Sequence, residues 1–230
     1  MRVHGSTLRN PVRPAIIHSP PAFERKLRMS LVIPDALSFF QRSCGRWRSQ
    51  RSVHHLLHRR AEAGGSLIVV DDIERTDQRL QELATAHGQS PEAVVGGSFV
   101  RWSASMAWDQ SEEGHDGETF FGLIPDSDDG RSGLLLRTMG YAEKAPATSR
   151  FSMDSEDGLI LETAYETMTV WERFSFLSPN IRVRSSTVQG LSNNASYCVE
   201  CRVSEEQTEA NEAMKPKAQP SQQSISALGW

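Results

Sequence analysis

The feature that most constrains this chain is a succession of short runs with period-two alternation, separated by turn-forming clusters. The runs are 66–70, 97–109, 118–124, 132–138, 148–153, 158–166, 167–177, 180–190 and 195–203, with clusters such as PDSDDG and SEDG between them. Side chains of a strand alternate between faces, so each run has one side to bury. With the stretch that follows residue 44, these make about ten strands joined by short links. That pattern predicts an all-β, ten-stranded, antiparallel up-and-down barrel. Two segments read instead as helices. One is PDALSFFQRS, 34–43, opened by Pro34 and Asp35; the other is a helical insertion at 76–88, with Thr76 as cap and Gly88 as stop. Ser90-Pro91-Glu92 offers a further short start.

Residues 44–55, CGRWRSQRSVHH, place three arginines around a tryptophan. The stretch is too basic for an ordinary core strand, yet Trp47 needs burial and Gly45 leaves room beside the backbone. It is either a solvated edge or the closure of something hollow. A short helix followed by Gly-x-Trp on the first strand is what a lipocalin-like barrel uses to plug one end, and the expected fold is of that type.

At 230 residues the chain can bury one substantial core. Its formal net charge of -4 gives no electrostatic ground for nucleic acid, and no apolar run reaches the roughly 20 residues of a membrane span. Cys44, Cys198 and Cys201 form an odd set without metal-ligand spacing, which suits a reduced cytoplasmic chain. Cys198 and Cys201 fall on opposite faces of one strand, which argues against a redox pair. His54, His55, His58 and His115 lack the company of a metal site and read as surface or packing residues.

The ends differ from the middle. Residues 1–29 are rich in Arg and Pro and nearly free of acids, and read as a disordered N-terminal extension upstream of Met29. The alternative is an organelle-type targeting segment, which would place the protein in a plastid stroma. Residues 204–230 turn polar and rich in Gln, Ser and Pro, and read as a disordered tail. The barrel is expected over 30–203.

Alternation then sorts the candidates. Val100, Trp102, Ala104, Met106 and Trp108 share a face, which either fills the core or walls a planar ligand. Arg182, Arg184 and Ser186 share a face, either a solvated stripe or a carboxylate clamp. Glu172 lies among Val170, Phe174 and Phe176 and must be paired or proton-active if that face is interior; Arg51, on the face of Trp47, is a candidate partner.

The stretches GRWRSQRSVHHL, PEAVVGGSFVRWSASMAWD, LETAYETMTVWERFSFLSPNIRVRSS and NNASYCVE occur in order between about 30 and 203. Together they resemble the S/U-type phycobiliprotein lyases of the CpcS/CpeS family. The resemblance implies a lipocalin-like barrel that binds a phycobilin, phycoerythrobilin or phycocyanobilin, as substrate, with no permanent cofactor. It further implies thioether attachment of that bilin to a cysteine of a phycobiliprotein β subunit, phycoerythrobilin being the expected pigment. Homodimerisation or a second lyase subunit accompanies such activity. By resemblance, Glu172 and Arg51 are the catalytic residues, Trp102 and Trp108 wall the chromophore, and Arg182, Arg184 and Ser186 hold its propionates. Two other readings share the barrel: a non-catalytic lipocalin-type bilin carrier and a phycobiliprotein chaperone.

Overall fold

The structure, a computed structural model, describes residues 32–106, 116–138, 147–190 and 193–207, and for 104–106 the backbone alone. Ten strands run in chain order as β1 (Gly45–His55), β2 (Arg60–Ile73), β3 (Gly96–Met106), β4 (Gly117–Pro125), β5 (Ser132–Arg137), β6 (Ala147–Met153), β7 (Leu159–Ala164), β8 (Met168–Ser178), β9 (Ile181–Gly190) and β10 (Asn194–Val203). Each pairs antiparallel with its sequence neighbour, and β10 returns to β1 to close the barrel. The opening basic stretch is therefore no edge: β1 is paired on both sides, Trp47 facing Arg202 on β10 and Ile68 on β2.

Helix α1 (Ala36–Ser43) plugs the end at which β1 begins. Asp35 caps it by accepting from the Ser38 N–H at 2.7 Å. Its buried apolar residues, Ala36 and Phe39, join Ile33, Phe121, Leu123, Leu135, Phe151, Leu159 and Leu161 in one apolar cluster. The Phe39 ring lies 5.1 Å from that of Phe176, and Phe176 lies 6.0 Å from Trp47, so one aromatic chain ties helix, β8 and β1 together. Burial of a side chain such as Phe39 stabilises the fold by about 1.5–3 kcal/mol.

Gly-x-Trp has a local explanation. Gly45 sits at φ +116°, a conformation that disfavours side chains, and a Cβ there would meet the Arg202 guanidinium 2.7 Å away. Arg202 lies 4.3 Å above the Trp47 ring and donates to the Cys44 and Arg42 carbonyls, while Trp47 Nε1 donates to the Ser43 carbonyl at 2.7 Å. Glycine thus admits a cation that clamps the helix end to the first strand.

Helix α2 (Gln78–Ala86), in the β2–β3 connection, packs Leu80, Leu83 and Ala84 outside the barrel against Phe120 and Leu136. Its cap is Asp77, not the expected Thr76; the Asp77 carboxylate accepts from the Arg79 N–H. Gly88, at φ +67°, follows the helix as expected. β2 is longer than the expected 66–70, since the polar RAEAGG that precedes it is also paired. A further correction concerns the tail. Ser204 N–H donates to Gln207 Oε1 and Gln207 N–H to Ser204 Oγ, a reciprocal cap on a helical turn at 205–207, and Glu205 pairs with Arg46. The expected extension 1–29 and the tail beyond 207 lie outside the described residues. Among the described residues, no helix is long and apolar enough to cross a membrane.

Candidate functional site

Above the apolar floor the lining changes character. Register fixes which side chains meet: Arg182, Arg184 and Ser186 of β9 stand opposite Glu200, Cys198 and Ser196 of β10, and opposite Phe176, Phe174 and Glu172 of β8. Arg51 of β1 stands opposite Cys198, on the same lining face as the buried Trp47 and Ser49. The expected β8 and β9 faces are interior, and the solvated-stripe reading of β9 fails because its inward arginines are covered.

The two β9 arginines are engaged differently. Arg182 Nε donates to Glu200 Oε2 at 2.6 Å, and the two side chains are 7% and 0% exposed. The same guanidinium lies 4.8 Å over Trp47 and 5.8 Å over Phe174. Its charge is matched and its faces are covered, an environment unlike that of an open clamp. Arg184, one step nearer the opposite end, meets Glu172 at 3.7 Å and the Cys198 sulfur at 3.6 Å, and lies 5.5 Å over Phe174. Burial works against its charge, but Cys198, Glu172 and Glu200 outweigh this and raise its pKa further.

Glu172 has a second cationic neighbour that the sequence reading missed: Arg137 of β5, at 4.0 Å. That pair crosses the lumen, since β5 and β8 are three strands apart in the barrel order. The expected partner, Arg51, faces the same interior, but the ion pairs shown for Glu172 are with Arg184 and Arg137. Both separations exceed a direct hydrogen bond, which leaves the carboxylate held by charge, with no fixed donor among the described residues. Arg137 was hidden because GLLLR reads as uniformly apolar: Leu135 faces the lumen while Leu136 is buried under α2, and this erases the alternation.

Hydroxyl pairs complete the lining, Ser186 with Ser196 at 2.7 Å and Ser149 with Thr163 at 2.6 Å. Trp102 packs beside the Trp47–Ile68–Val70 cluster, as an interior residue should. Its ring lies directly over Gly117, its cross-strand neighbour, where any Cβ would overlap it. A glycine opposite a tryptophan was a signal available in the sequence and not used. Trp108 lies outside the described residues. At the end opposite α1, His55 Nε2 and Glu62 Oε2 are 2.7 Å apart.

The cysteines are poor nucleophile candidates by position. Cys198 is buried and Cys201 exposed, on opposite faces as the alternation predicted. Burial, with Asp72 and Asp71 nearby, pushes the Cys44 thiol up to about 11 against the opposing effect of Arg202.

The arrangement is a barrel with an apolar, aromatic floor and a half-buried cluster of two guanidiniums around one carboxylate. It suits a ligand with an apolar body, carboxylate arms and a basic or N–H-rich centre. Comparison with known proteins agrees in kind. A family model described as CpeS-like protein matches residues 35–203. A chromophore lyase CpcS/CpeS 2 of Paulinella chromatophora is 60% identical over 174 residues, covering 76% of this chain and 88% of the relative. The phycocyanobilin lyase subunit CpcS of a Picosynechococcus species is 48% identical over 171 residues, covering 74% and 86%. Among solved structures, the S-type phycobiliprotein lyase CPES from Guillardia theta is 28% identical, with a TM-score of 0.65 over 80% of this chain and 99% of the other. This chain belongs to the CpeS-like protein family.

Proposed function

We propose that the chain is a phycobilin lyase, which binds an open-chain tetrapyrrole in the barrel and directs its attachment to a cysteine of a phycobiliprotein β subunit. The observation that carries this reading is Glu172, held between Arg184 and Arg137 at 3.7 and 4.0 Å on the inner wall of the barrel, above its apolar floor. A bilin is flat and apolar along its length, carries two propionates and has pyrrole N–H groups at its centre. Arg184 and Arg137, with Ser186, take the propionates by charge-assisted hydrogen bonds. Glu172 sits at the pyrrole nitrogens and favours their protonated form, with Arg51 on the facing wall; Trp102 walls the chromophore. Arg182, already committed to Glu200, holds the floor.

In the reaction the acceptor thiol loses its proton and its sulfur adds to the exocyclic double bond of ring A. A carbon–sulfur bond forms, the π electrons pass into the conjugated system, and the bilin takes up a proton. The addition is redox-neutral and needs no oxidant. Protonated pyrroles draw electrons from the reacting carbon, and a fixed bilin presents one carbon and one face to the thiol.

The test mixes the purified full chain with phycoerythrobilin, with or without apo phycoerythrin β subunit. The expected result is a red-shifted complex, then zinc-fluorescent colour on the acceptor that survives denaturation. Binding without covalent transfer would make the protein a carrier; acceptor binding without pigment uptake would make it a chaperone. The same mixture with phycocyanobilin and apo phycocyanin β subunit tests a second pigment, favoured by the name of the 48% identical relative.

A further inference from the structure

Residues 54–61 read HHLLHRRA, and the four at 56–59 turn the chain from β1 into β2. Tight hairpin turns draw on Gly, Asn and Asp, which reach left-handed conformations easily and suit water. This turn has none of them. Arg59 takes φ +51°, and Leu56 and Leu57 stand 61% and 68% exposed, side by side. The tip is held in place all the same: His58 N–H donates to the His55 carbonyl at 3.2 Å, and Leu56 N–H to the Asn193 carbonyl in the β9–β10 turn at 3.1 Å. The fold does not need these residue types here, so a surface role accounts for them better than packing does.

Position narrows that role. Helix α1 closes the end where β1 starts, so the β1–β2 turn lies at the opposite end, the one left for a cargo to pass on the proposed reading. No acid occurs between residues 54 and 61, in a chain whose formal net charge is -4. We infer that this tip is the docking element for the acceptor protein, its two leucines seated in an apolar depression with an acidic rim. The inference rests on the proposed lyase reading, in which a thiol of another protein must reach the mouth of the barrel. A second copy of this chain is a poorer occupant, because tip against tip would oppose Arg59 and Arg60 to themselves. An anionic membrane is poorer too, since two leucines offer little area to insert and the thiol is carried by a protein.

The experiment uses the full chain, apo phycoerythrin and apo phycocyanin β subunits, and two variants, Leu56→Ser/Leu57→Ser and Arg59→Glu/Arg60→Glu. Bilin affinity should match wild type in both, which also shows that they fold. The leucine variant should raise KM for the acceptor about tenfold or more with kcat within about twofold. The arginine variant should lower the on-rate and flatten its salt dependence. Unchanged KM in both variants, with wild type active, overturns the docking role and leaves the lyase reading standing. Sedimentation of wild type with phosphatidylglycerol vesicles, lost in the leucine variant while acceptor KM holds, overturns it in favour of a membrane. A wild-type chain that neither binds bilin nor colours an acceptor ends the lyase reading and this inference with it.

Discussion

Arg182 and Arg184 stand two residues apart on the same inward face of β9, yet they sit in different regimes. Arg182 meets Glu200 at 2.6 Å, stacked between Trp47 and Phe174 and sealed from water. Arg184 meets Glu172 at 3.7 Å, in a cluster shared with Arg137 whose side chains stay 12–25% exposed. A charge pair sealed at contact distance already has its charge matched, and breaking it leaves an ion in a low-dielectric interior. A pair at looser range, with donors to spare, can exchange partners when carboxylates arrive. On the proposed reading, the boundary between scaffold and site therefore runs between these two arginines.

The largest expected effect breaks the sealed pair. Glu200→Ala leaves the Arg182 guanidinium buried without its partner and should cost about 3–5 kcal/mol of stability in urea unfolding. Glu172→Gln, on the other side of the boundary, should cost less than about 1 kcal/mol and keep bilin binding while cutting transfer. Equal stability losses in the two variants would erase the distinction.

Arg184→Ala should weaken bilin binding by about 10–100-fold, the loss of about 1.5–3 kcal/mol of charge-assisted contact, with a much smaller change in stability. Absorption titration at matched protein stability reads this directly. Replacing the sealed pair on both sides, Arg182→Met with Glu200→Leu, should restore most of the stability lost in Glu200→Ala. Bilin affinity close to wild type in that double variant would assign Arg182 to support; a large loss would return it to the propionates.

The boundary was only half legible in the sequence. Period two put both arginines and Ser186 on one face and Glu172 on an apolar one, because antiparallel strands with one buried face keep their alternation, but it left open whether the β9 face was solvated or interior. It could not tell Arg182 from Arg184, since that difference is made by Glu200, eighteen residues away, and by the ring of Trp47. Arg137 was lost for the opposite reason: β5 is buried on both faces, so its one polar inward residue ends a run of leucines. Thr76 and Asp77 are both good caps, and the choice between them turned on Asp77 also reaching the Arg79 side chain.

Acidification separates interior from exterior. On the outer surface Asp154 sits in a half-buried place that alone would raise its pKa. The Arg173 side chain and the Gly158 and Glu156 N–H groups outweigh that and lower it. Asp126, beside Arg150 and Ser132, is lowered as well. A carboxyl lowered in the folded state stabilises the fold above its unfolded value, about 3.9, and that contribution fades as pH falls through the folded value. Thermal stability should thus decline below about pH 4, and Arg173→Met should shallow the decline by removing the chief partner of Asp154. A slope identical to wild type would locate the acid sensitivity elsewhere.

The smallest effect concerns a polar group that neither regime uses. Ser98 Oγ is buried on the inward face of β3, between Asp72 on β2 and Phe121 on β4, and has no hydrogen-bond partner among the described residues. A buried hydroxyl left unpaired lowers stability, and its removal takes out one atom without moving the backbone. Ser98→Ala should therefore raise unfolding stability by up to about 1 kcal/mol, and it should leave bilin affinity unchanged because Ser98 lies on the floor side of the boundary. A stability loss would mean that the hydroxyl has a water partner, and the floor would then be wetter than its leucines and aromatics suggest. A change in bilin affinity would move the boundary itself, since the pigment would then reach past Trp102 to the level of Ser98.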